Sequence, residues 1–249
     1  MDSRYSHVIG VEWQGCLCHC YEQCYNKPVT TIVSFDLDGT IVNSIFGDMV
    51  WNVGIPEEYA KHHGLPFHEA KEYITKEYET IGDENILWYT IDYWLKRFHI
   101  PLTSDALLER YVDYIELLPD ARKVLEGLHK NYTLIIASNA ARVFVEKEIL
   151  HTGIGHYFTH IISATTDYNL VKKQETFYRT LCQQLRIQPH QIIHVGDHPV
   201  YDFYVPSHLG IESYYIRRDG RDSALPFHMN PELLEQYTLR SLTELLDRL

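Results

Sequence analysis

Thr31 to Asn43, T-I-V-S-F-D-L-D-G-T-I-V-N, constrains this chain more than any other stretch. The apolar, β-branched run Ile32–Phe35 has the length and composition of a buried strand, and it stops abruptly at two aspartates. Asp36 and Asp38 are two positions apart, so they leave the strand end on the same side, and Gly39 lets the chain turn away. Side-by-side carboxylates repel unless a cation sits between them or one keeps a proton. The pair is therefore a bound-cation site, an acid/base pair or both, or else a polar strand end that only caps the next turn.

The segments that follow decide what kind of sheet this strand joins. From about Ile45 to Leu118 no strand pattern appears. Helical periodicity covers 56–63, 66–80, 84–98 and 104–117, with breaks at Gly54–Pro56, Gly64–Pro66, Gly82–Asp83 and Ile100–Pro101. Aromatic residues crowd this segment, among them Trp51, Tyr73, Tyr78, Trp88, Tyr89, Trp94 and Phe98, and their helical spacing predicts mostly the core of a small bundle. At Pro119 the pattern changes. Strands are expected over 132–137, 160–163, 191–195 and 213–216, alternating with helices over 120–130, 142–151, 175–186 and 201–209. Such alternation predicts an α/β fold with a parallel sheet covered on both faces, into which the helical segment is inserted after the first strand.

Charge narrows the partners. A formal net charge of −12 argues against nucleic acid or an anionic membrane. No run of about 18 apolar residues is present, and the N-terminus lacks the apolar core of a signal peptide. A soluble, cytoplasmic protein is expected, and a compact local site for a small phosphorylated molecule around a divalent metal stays open. Cys16, Cys18, Cys20 and Cys24 cluster before the first strand. They could hold a soft metal but lack the separated C-x-x-C pairs of common zinc modules. Residues 1–28 show no secondary-structure period and are expected to be a disordered leader or an over-called start. Cys182, alone in a helical pattern, reads as a small buried apolar residue.

In a parallel α/β sheet, ligands bind outside the carboxyl ends of the strands. Polar residues suited to chemistry stand at three of those ends: Asp36 and Asp38, Ser138 and Asn139, and Asp197 in V-G-D-H-P-V-Y-D, with Asp202 five residues on. Lys172, in V-K-K-Q-E-T-F-Y-R, precedes a helix between the second and third. Carboxylates with a nearby hydroxyl and lysine suit a hard cation and a phosphoryl group.

Over about Thr31 to Arg218 the chain resembles the haloacid dehalogenase superfamily of hydrolases, on the motifs F-D-L-D-G-T and V-G-D-x-x-x-x-D. The likeness is to the phosphoglycolate-phosphatase-like subgroup, with a helical cap inserted after the first strand. It implies a Rossmann-like core from residues 29–43 and 119–249, with the cap over 44–118. It implies Asp36 as a nucleophile that carries an aspartyl-phosphate and Asp38 as the acid/base. Mg2+ would be held by Asp36, the backbone carbonyl of Asp38, and Asp197. Ser138 and Asn139 would bind phosphoryl oxygens. Lys172 would neutralise charge, with Asp202 orienting that lysine or metal-bound water.

Two departures from the family pattern stand out. The motif lysine is followed by Lys173 rather than proline, and aligning Phe177–Tyr178 selects Lys172, leaving Lys173 a solvated neighbour. His198 follows Asp197 where a small polar residue is common, and is expected to be a surface turn histidine. The function implied is a Mg2+-dependent phosphatase for a small phosphomonoester. A phosphotransferase or sugar-phosphate mutase would use the same intermediate, and a non-catalytic binding protein could share the fold.

Overall fold

The computed structural model describes residues 31–171, 173–218 and 231–249. The cysteine cluster at 16–24, residues 1–28 and Lys172 lie outside these. Among the described residues the strands β1 (Ile32–Phe35), β2 (Thr133–Ser138), β3 (Phe158–Ser163), β4 (Ile192–Gly196), β5 (Glu212–Ile216) and β6 (Thr238–Leu239) form one parallel sheet in the order β3-β2-β1-β4-β5-β6. The chain builds outward from β1 on one side through β2 and β3, then returns to the other side with β4. The strand order thus reverses at β1 and β4, which is where doubly wound sheets open a crevice at their carboxyl ends.

β1 is buried along its whole length because it has a strand on each side and a helical layer on each face. Alternation along β1 sorts its side chains between two cores. Val33 and Phe35 join Leu134, Ile136, Val195, Phe144 and Val145 on one face, whereas Ile32 joins Ile135, Ile192, Phe177 and Tyr178 on the other. Burying a side chain of this size contributes about 1.5–3 kcal/mol. Cys182 lies in the second of these cores, buried as expected.

Helical structure alone occupies residues 45–114 between β1 and β2. Its boundaries differ from those read in the sequence. The Gly54–Pro56 break is no break: helix runs through Ile45–Met49, a wide π-type turn Val50–Gly54, and Ile55–His63, with Pro56 in the first turn of the last piece. Gly54 serves packing instead, since a Cβ there would lie 2.7 Å from the Tyr111 ring. The helix expected over 84–98 is two pieces, a 3₁₀ turn at Ile86–Tyr89 and a helix at Ile91–Arg97, with Thr90 extended between them. Asn85 accepts from the Leu87 N–H through its side chain and so starts the tight turn in place of an α-helix. Trp94 and Phe98 are buried as expected of a bundle core, whereas Tyr73 is exposed.

In the later half, Pro206 is accommodated because a π-type turn at Pro199–Tyr204 precedes the short helix Val205–His208, whose first turn it occupies. The sequence reading missed β6 and the helices Ala164–Tyr168 and Pro231–Gln236, all too short to show a period. No helix among the described residues is long and apolar enough to cross a membrane.

Candidate functional site

Asp36 extends β1 by one residue, its N–H donating to the Val195 carbonyl at 2.8 Å. Asp36 as a residue is 6% exposed. Beneath it, Ser34 of β1 is directly paired with His194 of β4, two polar residues inside otherwise apolar strands. Their burial is satisfied by a continuous chain. The Ser34 hydroxyl donates to His194 Nδ1 at 2.9 Å, and His194 Nε2–H donates to Asp202 Oδ1 at 3.1 Å. Burial holds the imidazole below its ordinary pKa despite the aspartate beside it, and the Asp202 carboxylate, which can only accept, places a proton on Nε2. Gly196 lets Asp202 fold back against the strand end: a Cβ at Gly196 would lie 2.3 Å from the Asp202 carboxyl carbon. The other Asp202 oxygen accepts from the His198 N–H at 2.9 Å.

Lys173 completes the chain and corrects the sequence reading. It is 3% exposed rather than solvated. Its ammonium donates to Asp36 Oδ1, lies 2.5 Å from Asp202 Oδ1, and donates to the Ala137 carbonyl at 3.2 Å, so each of its three donors has a partner. Lys173 therefore stands where Lys172 was expected. The spacing alone could not separate two adjacent lysines, because the stretch between the helices Ala164–Tyr168 and Glu175–Leu185 has no helix or strand period to fix which side chain faces β1. Burial alone would lower the Lys173 pKa, but Asp202 and Asp36 outweigh it and raise it. Burial likewise opposes ionisation of Asp202, yet Lys173 and His194 hold its carboxyl well below the usual range.

Asp36 goes the other way. Burial, together with the charges of Asp202 and Asp197, pushes it well above the ordinary aspartate value although Lys173 opposes the shift. One oxygen from each of Asp36, Asp197 and Asp202 lies within 4.8 Å of the others, so three carboxylates share one ammonium. A site short of positive charge in this way fits a divalent cation. Asp36 and Asp197 are the better candidates to hold it, since both oxygens of Asp202 are engaged, Oδ1 by Lys173 and His194 and Oδ2 by the His198 N–H, whereas Lys173 takes one oxygen of Asp36.

The expected residues Asp36, Asp38, Ser138, Asn139, Asp197 and Asp202 all line one cavity of about 580 Å³. Ser138, at the end of β2, accepts from the Ala140 N–H at 3.0 Å, which leaves its hydroxyl proton to donate elsewhere. Asn139 Oδ1 is buried with no hydrogen-bond partner among the described residues. His198 is half-buried and caps its own turn through Nδ1, which accepts from the N–H groups of Val200 and Tyr201.

The sequence reading missed several residues here. Ser34 and His194 had a signal, being polar residues inside buried strand runs. So did Glu148, which occupies the buried stripe Phe144–Val145–Ile149 of the helix Arg142–Thr152. The Glu148 carboxyl is fully buried, and burial, together with the charge of Asp38 and a hydrogen bond shared with it, raises its pKa well above the ordinary value. Asp83 and Tyr89, from the helical insertion, also line the cavity and had no motif to mark them.

Comparison with known proteins agrees with this architecture. A family model described as haloacid dehalogenase-like hydrolase matches residues 30–203. A GMP/IMP nucleotidase of Escherichia coli is 22% identical over 172 residues, covering 69% of this chain and 75% of the relative. A phosphoglycolate phosphatase of Haemophilus influenzae is 25% identical over 178 residues, covering 67% and 76%. The crystal structure of a HAD phosphatase from Thermococcus onnurineus superposes with a TM-score of 0.73 at 26% identity, covering 88% of this chain and 97% of that one.

Proposed function

The chain belongs to the haloacid dehalogenase-like hydrolase family, and from that premise we propose that it is a Mg2+-dependent phosphatase acting on a small phosphomonoester. The observation that carries this reading is the buried contact of Lys173 with Asp36, at the floor of a cavity that Asp38, Ser138 and Asp197 also line. The names of the relatives, a nucleotidase and a phosphoglycolate phosphatase, are in keeping with phosphomonoester chemistry.

In this reading the Asp36 carboxylate attacks phosphorus, forming an aspartyl-phosphate as the P–O bond to the leaving group breaks. Asp38 gives its proton to the departing oxygen, then removes one from the water that attacks the aspartyl-phosphate at phosphorus, breaking the P–O bond to Asp36 and releasing phosphate and the free carboxylate. A carboxylate approaching a phosphate dianion meets like charge, which the Lys173 ammonium offsets. The Ser138 hydroxyl and the Asn139 region bind the phosphoryl oxygens. Asp202 holds Lys173 in place, and the neutral His194 and Ser34 hold Asp202. Mg2+, held by Asp36, the Asp38 backbone carbonyl and Asp197, would supply further neutralisation of the transferring group. Residues 44–118 act as a cap over the rest, contributing Asp83 and Tyr89 to the cavity and excluding bulk water when closed.

The test is phosphate release from a generic phosphomonoester in water, with and without Mg2+. Hydrolysis should need the metal and no second acceptor hydroxyl, and Asp36→Asn should reduce kcat on the order of a thousandfold or more. Full activity in Asp36→Asn would show the mechanism to be wrong.

A further inference from the structure

We propose that the space beyond Asp38 is a leaving-group subsite for a planar ring, so that the substrate is the phosphomonoester of an arylmethanol, its ring one carbon from the bridging oxygen. This rests on the phosphatase reading, which sets the direction. Asp38 protonates the bridging oxygen in that reading, so the leaving group begins at Asp38.

A second space of about 260 Å³ adjoins the main cavity there, and Asp38, Ser44, Tyr89 and Ala140 line both. Its walls are aromatic, with Trp51, Trp88 and Phe144 added to Tyr89. These rings are fixed before any ligand arrives. Trp51 stacks on Phe144 with centroids 5.5 Å apart and planes at 19°, and lies 6.3 Å from Trp88. The backbone of both tryptophans is tied down as well. The Tyr78 hydroxyl donates to the Trp51 carbonyl at 3.3 Å, and the Trp94 indole N–H donates to the Trp88 carbonyl at 3.1 Å. A preformed aromatic surface favours a flat ring over a saturated group of the same size.

Two further features mark this as a space that an occupant fills. Gly47 lines it from the helix Ile45–Met49. Glycine within a helix costs stability relative to alanine, and neither packing nor backbone requires one here: a Cβ at Gly47 would meet no packed neighbour within 4 Å, and its φ is outside the left-handed region. The glycine leaves the space open on the side of this helix. Where the two spaces join, the Ser44 hydroxyl oxygen is buried with no hydrogen-bond partner among the described residues. Such an oxygen is costly unless an occupant supplies the partner. Because Asp38 belongs to both spaces, a group attached at the bridging oxygen meets the rings within a bond or two. An arylmethyl group places its ring there, whereas a nucleotide would put its saturated sugar against the tryptophans and its base beyond them.

Steady-state phosphate release by the full chain with Mg2+ tests this with four probes. Benzyl phosphate carries a flat ring one carbon from the oxygen, and cyclohexylmethyl phosphate is its saturated counterpart with a leaving group of similar basicity. Adenosine 5′-monophosphate interposes a sugar, and ethyl phosphate has no ring. In kcat/KM, benzyl phosphate should exceed cyclohexylmethyl phosphate by about threefold to tenfold and each of the other two by about tenfold or more. Trp88→Ala should bring the ratio of benzyl to cyclohexylmethyl phosphate close to one, mainly through KM. Gly47→Leu fills the space with a better helix former and should lower the ratio of benzyl to ethyl phosphate about tenfold, a change of ratio that partial unfolding cannot produce. Equal or better turnover of cyclohexylmethyl phosphate or the nucleotide, or ratios that neither substitution moves, would overturn the arylmethyl class and leave the phosphatase standing. Failure to hydrolyse any of the four would overturn both.

Discussion

The Lys173 ammonium is the side-chain group on which the carboxylates of this site depend. It stands between Asp36 and Asp202, both nearly inaccessible, and nothing else among the described residues gives Asp36 a positive neighbour. Removing one member of a buried ion pair leaves the other desolvated and unpaired, which costs about 3–5 kcal/mol. Lys173→Ala should therefore lower stability by that order and reduce kcat about a hundredfold or more, whereas Lys172→Ala should leave both near wild type. Denaturant unfolding and phosphate release on the two variants, side by side, make the comparison. The reverse pattern would return the motif role to Lys172. At this scale the aspartates were legible because a strand pattern fixes where its last residue falls. The lysine was not, because it arrives from a loop and has an identical neighbour.

Between elements, Asp120 ties together segments far apart in the chain. Its carboxylate accepts from the Arg218 guanidinium at 2.9 and 3.1 Å, from the Ser241 hydroxyl at 2.9 Å and from the Leu242 N–H at 2.7 Å. Arg218 also donates to the Thr40 carbonyl at 2.7 Å, so the turn after β1, the start of the helix Ala121–Leu128, the end of β5 and the C-terminal turn share one junction. Burial would raise the Asp120 pKa, but these hydrogen bonds outweigh it and lower it. A depressed carboxyl pKa contributes stability above the unfolded value, and that contribution is lost as pH falls through the folded value. Asp120→Asn should be less stable than wild type by about 1–3 kcal/mol at neutral pH, with the gap closing as pH falls below about 4. Thermal unfolding of both proteins between neutral and acid pH checks this; a gap that stayed constant would mean Asp120 does not titrate. The helical insertion shows what pattern reading misses between elements. Its periodicity was visible, but Asn85, Thr90 and the packing of Tyr111 on Gly54 decide where helices break and where they continue.

Across the whole molecule, an acidic chain places three more carboxylates around one ammonium at its strand ends. A divalent cation bound there would stabilise the folded state alone, by about 2.7 kcal/mol at a hundred times its Kd. Mg2+ should therefore raise the Tm of the wild type, by roughly 2–4 °C for each kcal/mol in a chain of this size, and chelation should reverse the shift. Asp197→Asn should abolish most of that response, and an unchanged response would remove Asp197 from the metal site.

The sequence by itself determined the parallel α/β sheet, the helical insertion after its first strand, and the strand ends at which Asp36, Asp38, Ser138 and Asp197 stand. These follow from local periodicity, which is a property of neighbouring residues. Only the tertiary structure decided that Lys173 reaches Asp36, that Ser34 and His194 support Asp202 from below, and that Trp51, Trp88 and Phe144 build a wall beyond Asp38. The longest of those contacts, Lys173 with Asp36 and His194 with Ser34, join residues 137 and 160 positions apart. Their selection depends on burial: in water a lysine or a tryptophan has many equivalent partners, and inside the fold the loss of solvent leaves it only the few groups packed against it.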